Sequence, residues 1–295
     1  MKVAITGSTG LIGTALVGAL RADGHEVVRL VRRVPASPDE ARWDPAGGTV
    51  APGALAGVEG VVHLAGAGVA DHRWTSAYKR KILDSRVQGT RTLSGALAGL
   101  EPRPRVLLSA SGMDYYGQTG DRPVDESAGR GSGFLADVVV AWEASTAAAE
   151  QAGIRVCHLR SGIVLSHRGG ALGRLLPLFK LGLGGRLGSG RQYWSWISLE
   201  DEVRAIRHLL EDDSVSGPVN LTGPVPETNA TVTRALGHVL GRPTVAAVPS
   251  LALKLVLGEL AQQILGSHRV LPARLLDAGF RFRHSDIEAA LRASV

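Results

Sequence analysis

Thr6-Gly7-Ser8-Thr9-Gly10-Leu11-Ile12-Gly13 stands between an apolar run, Lys2–Thr6, and a segment, Leu11–Ala22, whose Leu11, Ala15, Leu16 and Ala19 share one helical face. Strand, tight glycine turn and helix N-terminus together cradle a pyrophosphate. The free backbone N–H groups and the positive end of the helix dipole point at the anion. Gly7 permits the turn, Gly10 lets the backbone approach the phosphates, and Gly13 lets helix and strand pack closely. The spacing is G-x-x-G-x-x-G, not the dehydrogenase G-x-G-x-x-G. In a chain with 38 glycines the triplet takes its meaning from its place, directly after the first strand.

Outward from this turn the chain alternates. Asp23-Gly24 ends the first helix, and Glu26–Val31, Val58–Leu64, Val106–Ser109 and Ile154–Leu159 read as strands. Helices are expected near Ser76–Leu100 and Leu135–Ala152. This alternation predicts an α/β fold, a doubly wound parallel (Rossmann) sheet covered on both faces. Later the pattern changes. Gly169–Gly190 is glycine-rich, Leu199–Leu210 is helical, Pro218–Thr222 offers one more strand, and the chain from Pro224 reads as helical. The expected division is interleaved: residues 1–165 with 196–223 form the nucleotide domain, and 166–195 with 224–295 form a smaller, mostly helical substrate lobe. Leu251–Ile264 is expected to be a helix packed in the core of that lobe.

Composition narrows the function. The chain has 295 residues, 44% hydrophobic and 20% charged, as in soluble globular proteins. Its one cysteine, Cys157, excludes a disulfide scaffold and reads as a buried strand residue. No secretory signal and no apolar run of about 20 residues is present, so a cytoplasmic protein without a membrane span is expected. The net charge is +6, but the positive residues are scattered and aromatics are only 4%, which argues against nucleic acid as a partner.

The second strand selects the dinucleotide. NAD binders place an acidic residue about 20 residues after the glycine motif. Here the strand ends Arg29-Leu30-Val31-Arg32-Arg33. A guanidinium pairs bidentately with a ribose 2′-phosphate, so NADP is the expected cofactor, with Arg32 the first candidate and Arg33 the second.

These residues and several others resemble the extended short-chain dehydrogenase/reductase superfamily. The marks are Thr6–Gly13, His63-Leu64-Ala65-Gly66, Val87-Gln88-Gly89-Thr90, Ser109-Ala110-Ser111 with Tyr116-Gly117, and Trp196-Ile197-Ser198-Leu199-Glu200-Asp201. Trp74, Ser85-Arg86, Trp142-Glu143, Arg160–Leu165 and the C-terminal Pro272 to Leu291 are similar to one atypical branch. That branch is labelled "epimerase family", or nucleoside-diphosphate-sugar epimerase-like, and carries a short C-terminal domain of unknown function. The resemblance implies NADP along the carboxyl ends of the strands, held by Gly7, Thr9, Gly10, Leu11, Ile12 and Gly13. It implies that Leu64, Ala65 and Gly66 line the adenosine and ribose side. Arg86 would reach the phosphates or ribose, or else hold a helix carboxylate such as Asp84. Arg160, Ser161 and Val164 would lie near the nicotinamide, with Ser109 at the end of the preceding strand.

The catalytic pattern of the superfamily is missing. Its Tyr and Lys, four residues apart on one helix, would fall at Leu135 and Val139, and neither side chain titrates. No Tyr-x-x-x-Lys occurs in the chain. The remaining candidates are Ser111, with Ser109 as its alternative, and Tyr115 or Tyr116 in the loop beyond. Asp114, Asp125 and Glu126 are potential acids or bases. No histidine spacing suits a metal, so none is expected, and no nucleophile elbow occurs. Gln192, Trp194 and Trp196 are expected to roof a pocket for a ring-bearing substrate. Two functions follow. One is an NADP(H)-dependent oxidoreductase or epimerase acting on a small or sugar-like carbonyl or alcohol, as a monomer or homodimer. The other is a non-catalytic NADP(H) sensor or scaffold.

Overall fold

A computed structural model describes all residues, 1–295. Eight strands form the central sheet: β1 (Lys2–Thr6), β2 (Glu26–Val31), β3 (Glu40–Asp44), β4 (Thr49–Val50), β5 (Gly60–His63), β6 (Val106–Gly112), β7 (Arg155–Ser161) and β8 (Gly217–Leu221). Their order is β8-β7-β6-β5-β1-β2-β3-β4. Every pairing is parallel except β3 with β4. The winding reverses between β1 and β5, and the crevice at such a reversal is where open α/β sheets bind ligands.

Alternation along β1 places the two cores. Val3 and Ile5 join one buried cluster with Leu16, Leu20, Ile206 and Leu209, while Ala4 joins the other with Val61, Leu93, Leu97 and Leu107. The first cluster is covered by α1 (Leu11–Ala22) and a helix over Leu199–Glu211; the second lies under α2 (Ser76–Ala98). Each large side chain so buried contributes about 1.5–3 kcal/mol.

The expected helix at 135–152 is broken. α3 (Phe134–Glu143) gives way to a 3₁₀ turn at Ala144–Thr146 and a short helix, Ala147–Gln151. Ser145 Oγ donates to the Ala141 carbonyl at 2.7 Å and Thr146 Oγ1 to the Glu143 carbonyl at 2.7 Å. Such back-bonding competes with the helical ladder. α4 (Leu199–Glu211) is capped by Ser198, whose side chain accepts from the Asp201 N–H.

A third core collects Leu172, Leu176, Trp194, Trp196, Leu236 and Leu291 between the helices Gly170–Lys180, Asn229–Leu240 and Ile287–Ser294. Ile163–Leu165 pairs in parallel with Trp196–Ser198, and Ala246–Val248 with Gly185–Leu187. The helix expected over Leu251–Ile264 is corrected in two ways. It splits at Gly258, whose φ is +62°, into Ser250–Leu257 and Leu260–Ile264. The first piece buries no residue, and Leu255 is 70% exposed. No helix is long and apolar enough to cross a membrane.

Candidate functional site

The glycine turn closes β1 onto α1 at the sheet's reversal point. Gly7 has φ +67°, and a Cβ there would meet the Leu64 carbonyl at 2.8 Å. A Cβ on Gly13 would meet the Gly7 oxygen at 2.2 Å, so the close approach at Gly13 is to the turn itself. α1 begins at Gly10 with no side-chain cap and no acidic residue in its first turn. Orphan N–H donors at such an end are completed by a ligand.

Beside the turn, the end of β2 treats its two arginines differently. Arg33 is bidentate to the buried Glu40 carboxylate, at 2.7 and 2.6 Å. Arg29 also touches Glu40 at 3.0 Å and is held by Asp39 at 2.7 Å. The Arg29 and Ser37 hydrogen bonds hold the Asp39 carboxyl well below the usual range. Arg33 is thus engaged, whereas Arg32 is exposed and has no partner within the chain.

β1 and β5 place Thr6 opposite His63. Thr6 Oγ1 accepts from the N–H groups of Leu64 and Ala65, at 3.1 and 3.2 Å. Its own hydrogen is left for His63 Nδ1 at 2.7 Å. The imidazole proton therefore sits on Nε2, 3.0 Å from Thr90 Oγ1, which also accepts from Trp142 Nε1 at 2.9 Å. Burial pushes the His63 pKa down to about 4, so the ring is neutral. This chain of bonds fixes the Leu64-Ala65-Gly66 backbone along the cleft. Arg86 packs against Gly66, donates to the carbonyls of Ala67 and Ile82 at 2.9 and 3.1 Å, and lies 4.8 Å over the Trp142 ring. It pairs with no carboxylate, Asp84 included, and burial lowers its pKa to about 10.

The residues at the ends of β6 and β7 form one buried network. Ser111 faces Arg160 across the strands. Ser111 Oγ donates to Glu143 at 2.6 Å. Arg160 donates to both Glu143 oxygens at 2.8 Å and to the Tyr116 hydroxyl at 2.9 Å. The Tyr116 hydroxyl donates in turn to Asn220 Oδ1 at 2.8 Å. Tyr115 stacks on Arg160, 3.4 Å from its guanidinium to the ring centre.

Several expectations are corrected here. Arg160 is turned inward, because each of its three guanidinium nitrogens is engaged by Glu143 or Tyr116 and its face by Tyr115; its side chain is not free for a nicotinamide. Tyr116 is buried, and burial raises its pKa above the ordinary phenol value. Ser111 has committed its proton to Glu143. Ser109 is buried, with only a long contact of 3.4 Å to the Ala110 carbonyl. Ser161 Oγ donates to the buried Glu202 at 2.6 Å, whose pKa desolvation pushes up to about 8. Val164 is partly accessible and packs against the first core. Leu135 and Val139, in the positions of the missing pair, are buried.

Asp114 lies in the single 3₁₀ turn Met113–Tyr116 after β6. It is partly accessible, and no side chain donates to it. Burial holds its carboxyl above the usual range against the opposing charges of His268 and Arg86. His268 Nδ1 is buried without a partner. The hydroxyl of Tyr115 is also free of partners within the chain. Glu126, by contrast, is structural: it accepts from the Asn220 N–H at 2.8 Å.

The expected aromatic roof is absent from the cleft. Trp194 and Trp196 sit in the third core because helices close over them, and Gln192 Nε2 donates to the Leu187 carbonyl at 2.9 Å. Sequence reasoning missed Glu40, Asn220, Glu202 and His268, and took Glu143 only as a family mark. Glu143 is one of three carboxylates in Leu135–Ala152, with Asp137 and Glu150, so nothing local in the sequence singled it out.

A doubly wound sheet with an uncapped glycine turn at its reversal point defines a dinucleotide-fold protein. The chain belongs to the NAD dependent epimerase/dehydratase family, whose model matches residues 3–222; a domain of unknown function, DUF1731, matches 248–294. It is 50% identical over 290 residues to the epimerase family protein Mb2239 of Mycobacterium bovis, covering 98% of this chain and 96% of that protein. It is 37% identical to the Bos taurus epimerase family protein SDR39U1, covering 99% of both. The crystal structure of the human epimerase family protein SDR39U1 (isoform 2) with NADPH superposes with a TM-score of 0.92 at 33% identity, covering 100% of this chain and 99% of that one.

Proposed function

We propose that this chain binds NADP(H) and acts as an oxidoreductase or epimerase on a small or sugar-like carbonyl or alcohol. The observation that carries the reading is the uncapped, acid-free start of α1 at the reversal point, flanked by the unpaired Arg32. The crystal of the human relative with NADPH supports it. In this reading Leu11 and Ile12 offer their amides to the pyrophosphate, the Gly10 N–H being spent on the Gly7 carbonyl at 3.0 Å. Arg32 takes the 2′-phosphate, and Arg33, fixed by Glu40, buttresses it. Leu64, Ala65 and Gly66 bound the adenosine side, and Arg86 supplies positive charge beyond them. The nicotinamide, when bound, supplies or accepts hydride. Asp114, whose carboxyl burial holds above the usual range, is the candidate to exchange a proton with a substrate oxygen; the free Tyr115 hydroxyl is the second candidate. Ser111 is oriented by Glu143 to accept a hydrogen bond. The cytoplasm suits the free thiol of Cys157, which burial pushes up to about 11.

A second reading, a non-catalytic NADP(H) sensor, is favoured by the apolar Leu135 and Val139 where the superfamily keeps its Tyr and Lys. Calorimetric titration with NADPH and NADH tests the shared claim. Arg32→Ala should weaken NADPH about 10- to 100-fold, the worth of a charge-assisted pair, and leave NADH unchanged. Unaltered NADPH affinity would overturn the 2′-phosphate assignment. NADPH oxidation against a carbonyl panel then separates the two readings. Turnover that drops in Asp114→Asn supports the enzyme. Tight binding with no turnover on any compound supports the sensor.

A further inference from the structure

Outside the nucleotide cleft, α1, α4 and the C-terminal helix Ile287–Ser294 surround a cavity of about 560 Å³. We propose that this cavity binds a small phosphate ester. Arg168, Arg204, Arg207 and Arg283 line it, with Glu200 as the one carboxylate in the lining. Arg283 spends one nitrogen on Glu200 at 2.6 Å. Arg204 spends one on Asp201 at 2.8 Å and the Arg281 carbonyl at 2.9 Å. Arg207 pairs with Asp23 through one terminal nitrogen. Three carboxylates thus meet three guanidinium groups, and the charge of Arg168, which has no partner in the chain, is left over.

The donors are left over as well. A guanidinium carries five N–H groups, and only one terminal nitrogen of each paired arginine is engaged. Arg207 Nε is buried with no acceptor at all. A native structure rarely leaves such a donor orphaned, and an anion in the cavity would complete it. Planar forks that converge with unused donors match phosphate oxygens. His167 and His284 also line the space, the latter bonded through Nδ1 to Ser198 Oγ at 2.9 Å. Ala15, Ala19 and Val203 give an apolar wall for the ester's carbon skeleton. The volume falls within the range of about 300–1,000 Å³ usual for small-molecule sites.

The test uses the full chain saturated with NADPH, titrated calorimetrically with inorganic phosphate and with pyrophosphate, against sodium chloride of equal ionic strength. One anion is expected per chain. Arg168→Ala and Arg204→Ala should each weaken it at least fivefold, while Arg103→Ala, at the end of α2 on the other face of the sheet, should not. Arg168 has no internal partner, so its removal leaves folding intact. No heat beyond the chloride control would overturn the proposal. So would binding that ignores Arg168→Ala and Arg204→Ala, which would assign the anion to the glycine turn instead. This comparison holds whether or not NADPH binds, because none of the four arginines lies in that turn.

Discussion

Glu143→Ala should destabilise the protein far more than an average substitution. Glu143 neutralises Arg160, whose side chain is 3% exposed, through two hydrogen bonds of 2.8 Å, and it also accepts from Ser111 at 2.6 Å. Without it the guanidinium keeps only the Tyr116 hydroxyl and the Tyr115 face. Leaving one member of a buried ion pair uncompensated costs about 3–5 kcal/mol. At about 2.1 cal/mol/K per residue, 295 residues give an unfolding entropy near 0.6 kcal/mol/K, so Tm should fall by about 5–8 °C. Differential scanning calorimetry of wild type, Glu143→Ala, Arg160→Leu and the double variant measures this. The double variant removes the stranded charge and should be more stable than Glu143→Ala alone. If instead the two losses simply add, the network is not the coupled unit described, and the reasoning fails.

Three further outcomes are expected. His63 has a folded pKa near 4 against about 6.5 when unfolded, so the unfolded state binds the extra proton. Stability should therefore be flat above pH 7 and decline between about pH 6.5 and 4 by about 3 kcal/mol, and urea titrations should show a shallower decline in His63→Gln. Glu202 has the opposite sign: its folded pKa is about 8 and its unfolded one about 4.5, so its contribution is lost as pH rises between these values. Glu202→Gln should be more stable than wild type at pH 8 by a few kcal/mol, with the advantage gone below about pH 4.5; an equal gain at both pH values would contradict it. Gly13→Ala would set a Cβ 2.2 Å from the Gly7 oxygen, so the turn must shift; calorimetry should find nucleotide binding weakened at least tenfold.

The sheet was legible where its strands are continuous apolar runs, as at Val3-Ala4-Ile5 and Val61-Val62. β3, with the sequence Glu-Ala-Arg-Trp-Asp, offers no such run and was not anticipated. Yet β3 supplies Glu40, the group that decides which of two adjacent arginines stays free. The cofactor turn was readable because it is local. The Ser111–Glu143–Arg160–Tyr116 network was not, because its partners are far apart in sequence: Tyr116 and Asn220 are separated by 104 positions. Aromatic residues on a loop suit either a pocket or a core, and only the closure of the lobe's helices decided for Trp194 and Trp196. Ser250–Leu257 erred the other way, an apolar segment that buries no residue and packs only Leu253 and Leu257 against the cores.

The stack of Arg86 over Trp142 has an optical consequence. A guanidinium resting on an indole shifts its emission, and this one lines the cleft without a carboxylate to anchor it. A phosphate that drew Arg86 away would uncover the ring while leaving its N–H on Thr90. Trp194 and Trp196, enclosed in the other core, would report nothing of that event. Trp43 and Trp74 complete the five tryptophans, so an emission change on adding NADPH that is lost in Trp142→Phe would report cleft occupancy without a label.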